Sequence, residues 1–253
     1  MGIRDWISGL RKDQATDQQI IRWQKALSDF GYPYDLVSGS IADEAFASAK
    51  ELGRQNGFVP LILVPGHWNS RKSPPSKRCE RAQELMQTTP DVLAMYDDLE
   101  VDPENPNPDE FDKLVPSEND VVVTGLSITK RYVPAENAQR AWDEVAIVSV
   151  PATSADELPA YFEWGGWNSA PSSEQIVAVA RHWRQAYGSE LVAMGPDLLE
   201  FSVSRPPQDH ASAISLLKEQ YVFAPDSFEF DREYLERVAA QLRVNKSWVF
   251  WWD

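Results

Sequence analysis

The chain has 253 residues, enough for one large domain or two small ones, with 43% hydrophobic and 25% charged residues. Its net charge is −15, which argues against a nucleic-acid binder, and nothing approaches the run of about eighteen apolar residues that a membrane span needs. Cys79 is the single cysteine, so an intrachain disulfide and a thiolate zinc cluster are both excluded.

Thr16 is placed to cap a helix to Phe30, with Ile20, Trp23, Leu27 and Phe30 on one stripe and Gly31 as the stop. Ser40 is placed to cap a second helix that ends before Gly57. Phe58 to Val64 reads as a buried strand stopped by Pro65-Gly66, and Pro60 places its start late or near an edge. A basic stretch follows: Arg71, Lys72, Lys77, Arg78 and Arg81, read as a solvated loop and helix start. That helix runs from about Ser76 to Gln87, and Thr89-Pro90 opens another.

Between Asp91 and Asp120 there are eleven acids against Lys113 alone, a net of −10. Four prolines interrupt residues 97–120, so this tract reads as a surface excursion or linker that buries little apolar area. Val121 to Thr124 and Glu144 to Val150 read as strands, the second stopped by Pro151. Ser154 with Glu157 matches a capping box for a short helix. A tight Trp164–Asn168 loop precedes a helix that starts at Pro171–Ser173 and stops at Gly188. Residues 191–203 read as a hairpin around Gly195-Pro196-Asp197, and helices follow over about 209–221 and 232–242. The chain closes on Trp248-Val249-Phe250-Trp251-Trp252-Asp253, expected as an aromatic strand docked in the core. The expected fold is mixed α+β, a sheet of several strands with helices packed on it, in two regions: 1–140 and 145–253, which share one core or form two.

Several of these residues form an ordered set: Trp164-Gly165-Gly166-Trp167-Asn168 with Pro171, His182-Trp183 with Tyr187-Gly188, Arg205-Pro206-Pro207, Pro225-Asp226 and the aromatic ending. From roughly Val145 to Asp253 the chain resembles the bacterial domain-of-unknown-function family numbered 4253. Ala45 to Val64 is similar to what precedes this domain in longer members. The resemblance implies a bacterial, soluble domain of mixed α and β structure and no catalytic residues. There is a looser likeness to the immunity proteins of toxin systems, which are small, acidic and cytoplasmic.

The candidate binding residues are Trp164, Trp167 and Asn168, because exposed indoles anchor interfaces, together with Arg205 and His67. Both indoles capping the core is the competing reading. Arg205 before two prolines is a candidate clasp for the Asp253 end. His67 lies just past a strand end, where sites are often built. His182 reads as structural, His210 as a local polar contact, and the alternating acids Asp97, Asp98, Glu100 and Asp102 as a solvated loop, since the EF-hand glycine and terminal glutamate are missing. No nucleophile elbow, phosphate loop or metal-ligand spacing appears, so no catalytic residue, cofactor or metal is assigned. Residues 1–17 are charged throughout and lack a secretory apolar core, which with the lone cysteine suggests a cytoplasmic home. The expected function is non-catalytic binding of a protein partner, in the manner of an immunity or antitoxin-like protein, without nucleic acid or membrane. The alternative is a hydrolase-like enzyme with a pocket near His67, Trp167, Asn168 and Arg205.

Overall fold

A computed structural model describes residues 17–66, 68, 73–87, 111, 113–115, 144–229 and 231–253. Helix α1 (Asp17–Phe30) turns its Trp23, Leu27 and Phe30 inward, as the stripe predicts; its expected cap Thr16 lies outside the described residues. A strand absent from the sequence reading follows, β1 (Tyr34–Ser38). Ser40 does not cap the next helix. The Ser38 hydroxyl instead accepts from the Ser40 amide at 3.4 Å and opens a short 3-10 turn, Gly39–Ile41. Helix α2 (Ala42–Asn56) then continues from that turn without a side-chain cap, because the turn already orients the first amides.

Strand β2 (Val59–Leu63) is central, not peripheral: the sheet order is β1-β3-β2-β4-β5-β6. Here β3 is Glu144–Val150, β4 Ser189–Met194, β5 Leu198–Val203 and β6 Ser247–Trp251. Pro60 is tolerated there for a geometric reason. Its register partner Ser149 sends its own amide the other way, to Pro33, so this is a non-hydrogen-bonded pair of the β2–β3 ladder. On the opposite side, pairing with β4 begins only at Ile62. The missing proline N–H therefore breaks no bond.

All strand pairs are antiparallel except β2–β4, which is parallel. Strands from before and after residue 140 thus share one sheet of mixed α+β architecture. Leu61, Leu63, Ala146 and Val148 point to the larger core, and Ile62, Val64, Val145 and Ile147 to the face covered by α2.

Helix α3 (Pro75–Gln87) holds the main correction to the basic stretch. Arg78 is fully buried. Its guanidinium donates to the carbonyls of Phe30 (2.5 Å), Ser73 (2.5 Å) and Tyr161 (3.2 Å) and lies over the Tyr32 ring. Burial, with Cys79 alongside, pushes the Tyr32 hydroxyl well above the ordinary tyrosine range. The helix start at Thr89-Pro90 and the strand Val121–Thr124 lie outside the described residues.

After β3, the capping box does not form. Ser154 bonds to Asp156, and Glu157 reaches back to the amide and hydroxyl of Thr153 instead, ahead of the single-turn helix α4 (Leu158–Tyr161). Helix α5 (Ser173–Tyr187) has a complete capping box between Ser172 and Gln175. It buries Ile176, Val179, Ala180 and Trp183. The Trp183 ring lies 5.1–5.8 Å from Phe201, Phe223, Trp248 and Phe250, so the terminal strand closes around it. Helices α6 (His210–Phe223) and α7 (Arg232–Leu242) are capped by Asp209 and Asp231. The acidic tract is not purely a surface excursion. Phe111 is buried against Tyr221, the Lys113 carbonyl accepts from Arg232, and the Val115 amide donates to Glu236.

Candidate functional site

Three separate pieces of chain meet at one corner of the sheet: the Trp164–Ser169 loop, the Pro225–Ser227 turn and the end of β6. The loop backbone is unusual, with positive φ at Glu163, Gly165, Gly166 and Asn168. At Gly165 no side chain is possible, because a Cβ there would come within 2.2 Å of the Pro171 carbonyl oxygen. The Ser173 hydroxyl donates to the Trp164 carbonyl, the Gly166 amide to Pro171 and the Ala170 amide to Trp167, so the loop is latched onto the start of α5.

Trp164 belongs to the core rather than to a surface. It is fully buried, and its indole donates to the Gly195 carbonyl at 2.7 Å in the β4–β5 turn. Trp167 packs edge-on against it, half-buried, with ring centroids 4.5 Å apart. Asn168 is exposed, and its amide donates to the main-chain oxygen of Asp253 at 2.6 Å. Asp226 accepts from the Ser169 hydroxyl at 2.6 Å and from the Asp253 amide at 3.1 Å. Ser227 brackets Trp251, and the Trp252 amide donates to the Asp197 carbonyl. The tryptophan loop, the Pro-Asp pair and the aromatic ending are thus bonded to one another.

Residues 146–253 match the family model of the domain of unknown function DUF4253. No curated protein and no solved structure matches the chain. The DUF4253 segment runs from within β3 to the end of β6 and contains every residue of the corner.

Within this segment, Asp197 has the most perturbed carboxyl. Burial raises it to about 6; Asp253 adds to the rise, while its own backbone amide and the Trp251 indole oppose it. A carboxyl that titrates near neutrality can exchange a proton. The outward groups of the corner, however, are an indole edge, an amide and carboxylates, which suit recognition.

The expected Arg205–Asp253 clasp is not formed. Arg205 donates to the carbonyls of Arg184 and Gln185 at the C-terminal end of α5, while Asn168 and Asp226 hold the chain end. Asn168 precedes the N-cap of this 15-residue helix, so the two sites stand about 20 Å apart, and Arg205 does not join Trp167 and Asn168 in a pocket. His67 lies outside the described residues. Its neighbour Gly66 packs so closely on Pro196 that a Cβ would come within 2.5 Å of that ring, and Trp68 donates its indole N–H to Val64. His182 sits 3.2 Å from Glu219, which also accepts from the Trp183 indole, a structural arrangement. His210 is the first residue of α6. The acids Asp97 to Asp102 lie outside the described residues. Among the described residues, no three His, Cys, Asp or Glu side chains are grouped to hold a metal ion, and no helix is long and apolar enough to cross a membrane.

Asp197 and Ser169 were not singled out by sequence. Asp226 had a visible signal, since Pro225-Asp226 is one of the motifs behind the family resemblance. Asp197 was visible only as the end of a Gly-Pro-Asp turn, and nothing local announces that the Trp251 indole lies beside it.

Proposed function

We propose that this protein is a non-catalytic, cytoplasmic binding protein of bacteria that recognises a protein partner, in the manner of an immunity or antitoxin-like protein. The observation that supports this reading is the Trp167–Asn168 surface. It is an indole and an amide on a loop fixed by hydrogen bonds at both ends, so presenting them to a partner costs little further ordering. The acidic chain favours a basic partner through electrostatic steering. The hydrolase-like alternative needed His67, Trp167, Asn168 and Arg205 in one pocket, and the position of Arg205 speaks against it.

Purification of the full chain from its native host is expected to bring down a stoichiometric protein partner. Trp167→Ser is expected to weaken that complex by about 2 kcal/mol, the scale of an aromatic anchor, and separately to cost about 1–2 kcal/mol of thermal stability through the packing it loses on Trp164. A clean monomer, or a Trp167→Ser protein that holds its partner as tightly as the native chain, sinks the reading.

A further inference from the structure

The second surface feature of note lies away from the corner, where β2 and β4 part. These parallel strands are paired only at Ile62↔Ala193 and Leu63↔Met194, and β4 carries an irregularity between Leu191 and Ala193. Below that point Pro60 offers no amide to extend the ladder. The sheet therefore opens into a cleft of about 470 Å³, within the roughly 300–1,000 Å³ typical of small-molecule sites. Its apolar wall includes Phe46, Pro60 and Leu191.

Three cations line this cleft, Lys50 and Arg54 from α2 and Arg184 from α5, against one acid, Glu190. Arg54 and Arg184 each stand in the last turn of a helix, where a cation complements the helix dipole, so neither alone marks a site. Their convergence with Lys50 on one apolar cleft is the informative part. Each cation is held in place by an acid: Lys50 by Glu190 across the mouth, Arg54 by Glu51 and Arg184 by Asp156. The Lys50–Glu190 and Arg54–Glu51 pairs are exposed on both sides and weakly held, so an incoming anion displaces either carboxylate at small cost, whereas Arg184 stays on the buried Asp156. The cleft also lies on a seam. Helix α2 and β2 precede the DUF4253 segment, while β4 and α5 belong to it.

We propose that this cleft binds a small amphipathic organic anion. The acid group of the ligand would sit between Lys50 and Arg54, and its apolar body against Pro60 and Leu191. The inference is independent of the protein-partner reading, since it uses none of the corner residues.

The test is a titration of the full chain with anilinonaphthalene sulfonate, followed by fluorescence and by amide nitrogen–proton correlation spectra. One saturable site with a Kd below about 1 mM is expected, with shifts concentrated at residues 50–60, 152–155 and 190–191. The double variant Lys50→Gln, Arg54→Gln changes two side chains at the solvent boundary. It should keep the native circular dichroism and bind about tenfold more weakly. The uncharged analogue phenylnaphthylamine should lose a similar factor. Absence of saturation, shifts centred elsewhere, or equal binding by the double variant or by the uncharged analogue would each overturn the proposal.

Discussion

Trp252→Ala tests whether the aromatic ending is interior scaffolding. Trp252 is 1% exposed, and its ring lies 5.2 Å from Trp164 and 5.3 Å from Phe223. Its indole N–H donates to the Phe223 carbonyl at 3.3 Å. Truncating a buried tryptophan costs about 3–5 kcal/mol, and leaving a buried carbonyl unpaired adds about 1 kcal/mol. The neighbours are themselves packed rings, so little collapse into the cavity is expected and the upper part of that range applies. For a chain of this size, about 4–5 kcal/mol lowers Tm by about 10–15 °C. Urea unfolding followed by far-ultraviolet circular dichroism measures the loss, and the slope m should not change. Trp252→Phe keeps most of the ring and loses the N–H, so about 1–2 kcal/mol is expected. A loss below about 1 kcal/mol for the alanine variant would refute the reasoning. Deleting residues 248–253 is the extreme form. Four buried aromatics at about 200 Å² each and about 25 cal/mol per Å² contribute on the order of 20 kcal/mol, above the usual stability of about 5–15 kcal/mol. A cooperatively folded product of that deletion would contradict the architecture.

Asp197 titrates near 6 in the folded chain against 3.8 as a free carboxyl, so the folded state binds the extra proton. Its contribution favours folding fully below about pH 4 and is lost as pH rises through about 6, a change on the order of 2–3 kcal/mol. Asp197→Asn should therefore be more stable than the native chain at pH 8 and converge with it near pH 4; lower stability at pH 8 would rule out burial as the dominant cause. Gly165→Ala collides with the Pro171 carbonyl oxygen and should lose several kcal/mol, whereas Gly166→Ala meets open space and bears only the left-handed backbone cost of about 1–2 kcal/mol; equal losses on thermal unfolding would contradict the loop geometry. Arg78→Met leaves the Phe30 and Ser73 carbonyls without this donor, while Tyr161 keeps the Tyr32 hydroxyl, and should cost about 2–4 kcal/mol; Arg78→Lys should recover less than half, since an ammonium cannot reproduce the fork, and full recovery would show that charge alone suffices.

Sequence reasoning reached the elements whose signals are local. Pro151 ends β3, Gly188 ends α5, and Gly195-Pro196-Asp197 turns β4 into β5. β1 escaped because it is five residues long, with its first three exposed, so burial imposes no hydrophobic alternation on it. Phe111 escaped because one apolar residue in an acidic tract carries no period. Arg205 was assigned the wrong partner and Arg78 the wrong environment for a common reason. Both donate to main-chain carbonyls, which exist at every position and leave no mark in the sequence. The corner was half legible. Its tryptophan loop, Pro-Asp pair and aromatic ending were visible as motifs, but the bonds that join them span 27 to 85 residues.

The strand order bears on whether the DUF4253 segment stands alone. β2 lies between β3 and β4, and β1 flanks β3 on its other side. Without the residues before 144, β3 keeps no strand neighbour, although it is the longest strand among the described residues and is buried at five of its seven residues. Arg78 adds a second tie, since it bonds the end of α1 to Tyr161 at the end of α4. The carbonyls of a helix C-terminus carry partial negative charge, which helps a buried guanidinium that forms no ion pair among the described residues. An expressed fragment of residues 144–253 is therefore expected to expose apolar surface and to unfold without cooperativity, as read by thermal circular dichroism. Adding residues 17–87 as a separate chain should restore the transition, because those residues supply α1, β1, α2, β2 and Arg78 together. A fragment that folds sharply by itself would mean that β3 finds another partner, and that the sheet across residue 140 is an association of two units rather than one structure.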